Sequence, residues 1–450
     1  MQHILYMEIL GCLSEQGFSL DELVIKTKSL FEEKGMSGFI ELLLKLLDES
    51  ICIGLLTGVS RWKPESCCPE PIYDSHGRRP KEFRTSVGVL KIDWHRLRCR
   101  NCGKVLIPLR EFLGLKAYQS KTSELEMIVA DVISEQSYRR TSRHLSLIGN
   151  IPVPRNTLHR WVMESDCDEL RVDGRVVDTL FVDGTGYKRR PSDDRNNRGE
   201  VRVVLGIRDD GHVIPFGACS GQSWEEIGKQ IRSKTSHEGP LANVLVSDGE
   251  PGLSEGLSEL VNAEQRCHWH TIHDLSYVMW KDKANRKEQR NMQKKMAGII
   301  GIELPAEDFE KVKAKDKEIL EKSVDEADVK VENLIAEFNK KGYGHAANYV
   351  RKAKDKLFTY IRFFLKYGLV SPRTSSMIER MMREIGRRLK KIAFGWSEKS
   401  AAKMARIIIK RITSANEWEE YWKKRLRIED NVILIYKGVK VQGVQPLLGR

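Results

Sequence analysis

The sequence predicts an α/β core built on one mixed sheet, interrupted by a long all-helical stretch and preceded by helical and cysteine-bearing modules. Three observations predict it. β-Branched runs between 174 and 274 alternate with helical patterns. Residues 275–370 are charged and helical, with no strand signal. Four of the nine cysteines crowd between positions 67 and 102.

Composition narrows the classes open to the chain. With 450 residues there is room for several domains of about 150 residues each. A 40% apolar, 31% charged composition is globular. It is too apolar for a disordered chain and too charged for a membrane protein. No run approaches the roughly 18 uncharged apolar residues of a transmembrane helix. The start, MQHILYMEILGCLSEQ, has no basic leader and meets Glu8 early, so no secretory signal is expected. A formal charge of +13 and a pI near 9.2 point to a polyanionic partner, nucleic acid before an anionic membrane. Nine cysteines, an odd number spread through a large chain, fit a reducing interior better than a disulfide framework.

Taken in order, residues 1–58 carry a helical pattern in which Leu23, Ile25, Leu30, Phe31, Phe39, Leu42, Leu43 and Leu46 recur at three- and four-residue steps, as in a packing or assembly element. Residues 59–112 form a basic module. From His76 to Arg110, ten Lys and Arg stand against Glu82 and Asp93, a net +8. Two short strands there flank Cys99-x-x-Cys102-Gly103, a good zinc knuckle. Its partner half reads Cys67-Cys68-Pro69-Glu70-Pro71, with Pro71 where a fourth thiolate belongs. Cys67 or His76 would then complete the site, or the ribbon is degenerate and metal-free. A zinc-ribbon-like module with structural Zn²⁺ on Cys67, Cys68, Cys99 and Cys102 is the expectation, and it would fold only with its metal.

Residues 113–170 hold three helix candidates, SELEMIVADVISEQ, SYRRTSRHLSLIG and VPRNTLHRWVMES. The break Gly149-Asn150-Ile151-Pro152 gives the last two a helix-turn-helix pattern. Arg155, Asn156 and Arg160 are the candidates for base edges; the alternative is a hairpin that only packs. Residues 171–274 read as three meandering strands, Arg175–Val182, Val201–Ile207 and HVIPFGACS, then helix, strand, helix and a short extended piece. Ser223-Trp224-Glu225-Glu226 opens the first helix in capping style, and Trp224 is either core or a base-stacking ring. The helical stretch 275–370 follows, then an amphipathic, very basic segment 371–412, then a tail 413–450 with Trp418, Tyr421 and Trp422.

Two acids carry the chemistry. Asp183 closes a β-branched strand in LFVDGTG, and Asp248 closes another in VLVSDGEPG. Strand ends are where ligands bind in open α/β sheets. On neighbouring strands the carboxylates would stand close, and like charges at close range call for a cation. Oxygen donors of this kind suit Mg²⁺ or Mn²⁺. Two such ions about 3.5–4 Å apart activate a water or a sugar 3′-hydroxyl and stabilise the leaving oxygen of a phosphodiester. Either Asp alone reads as a strand terminator and turn cap.

The order VDGTGYK, VSDGEPGL, QRCHWH and SSMIERMMREIGRRLKK resembles the Mutator-type branch of DDE transposases, including its prokaryotic insertion-sequence members. The resemblance covers roughly 174–412. It implies a ribonuclease-H-like mixed sheet interrupted by an all-α insertion, and a catalytic, metal-holding triad of Asp183, Asp248 and Glu379. It also implies that Cys267 and His270 form a Cys-x-x-His motif that shapes the core. The gaps are 65 residues from Asp183 to Asp248 and 131 from Asp248 to Glu379, long enough to hold the helical insertion. Glu384 and Glu398 lie nearby, but Glu379 stands directly before Arg380, Arg383, Arg387 and Arg388. Arg383 and Arg387 share a helix face that would meet phosphate. Eleven Lys and Arg in 380–411, net +9, are expected to track the DNA backbone and give steep salt dependence.

The resemblance thus implies a DNA transposase that cuts element ends with water and joins the freed 3′-hydroxyl to target DNA, with no covalent enzyme intermediate. Two Mg²⁺ (or Mn²⁺) ions, terminal inverted repeats, a homodimer or higher oligomer on DNA, and a cytoplasmic or nucleoid-associated place in a prokaryote go with it; no membrane is involved. Two alternatives are a ribonuclease-H-like nuclease without strand transfer and a domesticated, non-catalytic DNA-binding protein.

Overall fold

The computed structural model describes residues 35–426 except 61, 66, 173, 175, 191–196, 209, 236, 307, 393 and 394. The expectations for 1–34 and 427–450 lie outside the described residues. Helix α1 (Met36–Thr57) ends at Gly58, whose φ of 75° is the left-handed conformation that glycine adopts without strain. It packs on an antiparallel sheet of β1 (Tyr73–Thr85), β2 (Gly88–Cys99) and β3 (Val105–Leu106). Alternation along β2 buries Leu90, Ile92 and Trp94, and Phe83 stacks on Trp94 at 5.5 Å. The short helix α2 (Pro108–Phe112) closes this module.

Three helices follow, α3 (Ser123–Glu135), α4 (Tyr138–Ile148) and α5 (Arg155–Glu164). Thr122 and Ser137 cap the first two by accepting the N–H of Leu125 and Arg140. The five-stranded sheet then forms from β4 (Val177–Lys188), β5 (Arg198–Ile207), β6 (Val213–Ser220), β7 (Ala242–Ser247) and β8 (Val261–Arg266). Its order is β6-β5-β4-β7-β8, with β6, β5 and β4 antiparallel and β7 and β8 parallel to β4. Helices α6 (Trp224–Thr235) and α7 (Leu253–Leu257) supply the crossovers. At the start of α6, Ser223 Oγ accepts the Glu226 N–H while the Glu226 carboxylate accepts the Ser223 N–H, the reciprocal cap expected from the sequence.

From β8 the chain enters a purely helical region: α8 (His268–Lys281), α9 (Arg286–Ile300), α10 (Ala314–Lys340), α11 (Gly344–Ala353) and α12 (Thr359–Tyr367). Among the described residues of 275–370 there is no strand. This region has its own core, with Leu275, Met279, Met296, Phe338, Phe358 and Phe364 fully buried. Its neck is tied by several bonds, among them Thr359 Oγ1 on the Glu264 carbonyl (2.7 Å) and the His268 N–H on the Arg373 carbonyl (2.9 Å). Buried Gln265, in β8, donates to the Leu357 carbonyl (3.0 Å) and accepts the Tyr360 N–H (2.8 Å), joining the way in to the way out. The chain returns through α13 (Ser376–Gly386), a single π-turn, α14 (Glu398–Thr413) and α15 (Ala415–Leu426).

Alternation along β4 divides the sheet into two faces. Leu180 and Val182 pack with Trp224, Ile227, Leu253 and Leu257 of α6 and α7. Phe181 and Tyr187 pack on the opposite face with residues of α3, α5, α13, α14 and α15, among them Leu125, Trp161, Ile378, Met404 and Trp422. The helices of 123–164 therefore share one apolar core with the sheet. No helix among the described residues is long and apolar enough to cross a membrane.

Candidate active site

Sheet register brings the first two acids together. β4 and β7 pair in parallel through Phe181 and Val246, so Asp183 and Asp248 each lie two residues beyond the last paired position. Both continue the alternation of Phe181 and Val246 and so belong to the α13 side of the sheet. One expectation is corrected here. Asp183 does not close its strand: β4 runs on to Lys188 because Gly184 and Gly186 keep their pairing with Arg202 and Glu200 of β5. What ends beside Asp183 is the partnership with β7.

Glu379 sits in the first turn of α13, a helix that crosses β4 so closely that a methyl group on Gly386 would lie 3.6 Å from Thr185 Oγ1. The acids sense one another. Burial pushes the Asp183 carboxyl up to about 6, against a hydrogen bond from the Gly184 N–H (2.7 Å). Asp248 and Glu379 push it further up, while His270 draws it down. The ligand atoms of the three acids do not all lie within 4.8 Å of one another, as those of two other groups among the described residues do.

Two clamps hold this constellation. In the first, the Cys267 N–H donates to the Ser247 carbonyl (2.8 Å), fixing the thiol beside the end of β7. Cys267 Sγ then accepts the N–H of Ser375 (3.4 Å), and Ser375 Oγ lies 3.4 Å from His270 Nδ1. Ser375 opens α13, and its carbonyl accepts the Glu379 N–H. Cys267 and His270 thus pin the turn that carries the third acid. Burial raises the Cys267 thiol, but hydrogen bonds from His270 and Ser375 bring it below its ordinary value. Burial opposes charging of His270, and Cys267 and Asp248 more than offset it.

The second clamp is Arg266, which the sequence did not single out. Gly249, next to Asp248, has φ 76°, and a Cβ there would lie 1.2 Å from Arg266 Nη1. The buried guanidinium therefore lies flat on this turn, and only glycine fits beneath it. Arg266 also donates to Tyr349 Oη (3.2 Å), and Tyr349 donates to the His270 carbonyl (3.1 Å), so α11 of the helical region is wired to the acid loop. On the other side Glu250 pairs with Arg202, and its N–H donates to Asp248 Oδ1 (3.0 Å). Trp224 is 2% exposed beneath Arg202 and belongs to the core.

In the N-terminal module the hairpin gathers all four cysteines. Sγ atoms of Cys67, Cys68, Cys99 and Cys102 lie within 4.8 Å of one another, with Cys68 and Cys99 3.6 Å apart. Tetrahedral zinc with bonds of about 2.3 Å separates its sulfurs by about 3.8 Å, so the donor set fits Zn²⁺. N–H groups of Cys102 and Asn101 donate to Cys99 and lower its thiol to about 6, against burial, which favours the thiolate a metal needs. His76 is not part of the cluster.

Among the DNA candidates, Arg155, Asn156 and Arg160 of α5 are exposed, and so are Arg380, Arg383 and Arg387. Arg140, Arg143 and His144 on α4 add a basic surface that the motif YRRTSRH already carried. Arg388 is a correction. It is 1% exposed, donates to the Ile133 carbonyl (2.6 Å) and lies 4.9 Å over the Trp396 ring, so it ties α3 to the core and cannot reach a phosphate. The basic run corrects likewise. Lys403 and Arg406 pair with buried Asp168, Lys410 donates to the Glu169 carbonyl, and Arg411 pairs with Asp131 and Glu135. The chain matches no family model and no curated protein.

Proposed function

We propose that this chain is a DNA transposase of the Mutator-type DDE kind, with a ribonuclease-H-like core. The observation that carries the reading is the alignment of Asp183 with Asp248 on neighbouring parallel strands, under a helix that presents Glu379. The strand order, three antiparallel strands followed by two parallel to the first, supports the same reading. So does the position of the helical region between the second and third acids.

The residues fit divalent cations. Asp248 and Glu379 raise the proton affinity of Asp183, and a hard cation with oxygen preference relieves that repulsion. Asp183, Asp248 and Glu379 would hold Mg²⁺ or Mn²⁺, which when bound supplies an activated water or 3′-hydroxyl and stabilises the leaving oxygen. Gly184 N–H and the turn at Gly249 orient the two aspartates, and the Cys267–His270–Ser375 clamp sets the height of Glu379. Arg380 and Arg383 on the exposed side of α13, with the α4–α5 surface, take the DNA backbone and the base edges. The cysteine module would hold structural Zn²⁺. Assembly as a dimer or higher oligomer on two element ends goes with the reading.

The test is incubation of the protein and Mg²⁺ with a plasmid bearing the inverted repeats that flank its gene, and a target plasmid. Strand joining, lost in Asp248→Asn, supports the proposal. Cutting without joining makes the chain a nuclease, and binding alone makes it a non-catalytic DNA-binding protein.

A further inference from the structure

Helix α8 begins directly after Cys267, and its two faces differ in kind. One face buries Thr271, Leu275 and Met279 in the helical core. The opposite face carries Trp269, His273, Tyr277 and Trp280 at steps of four, four and three residues, which is one side of a helix. The large rings are open to solvent: Trp269 is 48% exposed, Tyr277 60% and Trp280 65%. They stand in two stacked pairs, Trp269 on His273 at 4.5 Å and 10°, and Tyr277 and Trp280 at 6.2 Å and 19°. Large apolar rings in a row on an otherwise charged helical region mark a binding face.

Charge and position name the occupant. Lys281 Nζ lies 5.1 Å from the Tyr277 ring centre, and Lys283, Arg286, Lys287 and Arg290 continue outward as exposed cations. The two acids among them are engaged: Asp282 accepts the N–H groups of His345 and Ala346, and Glu288 pairs with Lys341. The stripe starts at the acids, since Trp269 meets the His270 ring edge-on at 4.8 Å and His270 senses Asp248. From Trp269 to Trp280 the helix rises about 16 Å, the length of about four or five nucleotides at roughly 3.4 Å each. Planar rings followed along the helix by cations suit unpaired bases, whose faces are free to stack, and not a closed duplex.

We propose that the Trp269–His273–Tyr277–Trp280 stripe of α8 binds single-stranded DNA next to the cleavage position, stacking unpaired bases while Lys281, Lys283, Arg286 and Lys287 neutralise the backbone. The inference rests on the reading of Asp183, Asp248 and Glu379 as a DNA-cutting centre. It adds that the strand is peeled from its complement there.

The test uses the full chain in Mg²⁺-free buffer without chelator, with a fluorescent 20-nucleotide oligothymidylate and a blunt duplex of equal length, read by anisotropy. Tyr277→Ala/Trp280→Ala lowers single-strand affinity about tenfold or more and leaves duplex affinity within about twofold. Trp280→Phe in the otherwise native chain keeps single-strand binding, and far-ultraviolet circular dichroism of the double variant matches wild type. Equal loss for both DNA forms, no loss for the single strand, or a change of oligomeric state without a change in single-strand binding overturns the inference; the last would make the stripe a contact between copies. Mg²⁺-dependent cutting by the wild type is measured separately. If cutting is present and the stripe variants bind normally, this inference alone falls; if cutting is absent, the cutting-centre reading falls and the Mg²⁺-free titration still reports on the stripe.

Discussion

Replacing Asp183 by Asn removes a charge that the folded chain holds at a disadvantage. Burial first, then Asp248 and Glu379, raise the carboxyl from 3.8 to about 6. The folded state therefore holds this proton more tightly than the unfolded state. That contribution is whole below about pH 4, where both states are protonated, and it is lost as pH rises through about 6. Each pH unit of difference is worth about 1.4 kcal/mol, so the ionised carboxylate costs up to about 3 kcal/mol near pH 7.5. Without Mg²⁺, Asp183→Asn should thus unfold at higher urea than wild type near pH 7.5, by up to about 3 kcal/mol, and the two should converge near pH 4. Mg²⁺ should reverse the order, because it stabilises the chain that binds it and not the variant. Urea titrations followed by tryptophan fluorescence at both pH values, with and without Mg²⁺, measure all four cases. A variant less stable than wild type near pH 7.5 without Mg²⁺, or an equal response of both chains to Mg²⁺, would refute the charge-repulsion account.

Other consequences follow from the same geometry. Cys267→Ala or His270→Ala frees the turn that begins the Glu379 helix, and metal-dependent cutting should fall about 10- to 100-fold with duplex binding intact; gel assays of both decide it. Removing zinc with a strong chelator, or Cys99→Ser, should unfold the β1–β3 module, and metal analysis should find about one zinc per wild-type chain. Arg388→Ala should lose about 2–4 kcal/mol of stability, because it leaves the Ile133 carbonyl unpaired and empties the space over Trp396, without altering the salt dependence of DNA binding. Arg383→Ala should do the opposite, lowering the salt slope by about one with no loss of stability.

Much of this organisation was legible because it is local. The cap at Ser223 and the helical character of 275–370 are read from adjacent residues. The β-branched runs before Asp183 and Asp248 place both aspartates near strand ends, close together if the strands are neighbours. Long-range packing was not legible. Arg388 counts as a free cation in the sequence, yet Ile133, more than 250 residues earlier, takes its proton donor. Arg266 looks like one more basic residue until the turn at Gly249 is seen beneath it. The adjacent pair Cys67-Cys68 breaks the usual two-plus-two spacing, and only the strand pairing of Tyr73 with Cys99 shows why it still meets the knuckle.

The Gln265 tie has a further bearing on how such a chain can change. Because the Gln265 amide, with the neighbouring bonds of Thr359 to the Glu264 carbonyl and of the His268 N–H to the Arg373 carbonyl, fastens both ends of the helical region, the residues between Ile302 and Phe309, beyond the Ile302 carbonyl that Tyr360 and Arg373 hold, can be lengthened or trimmed without dragging on the strand that leads to Asp248 or the helix that carries Glu379. Loop entropy grows only slowly with length, so such edits are cheap. The fold thereby keeps a fixed reaction geometry alongside an appendage that is free to be remodelled for new partners.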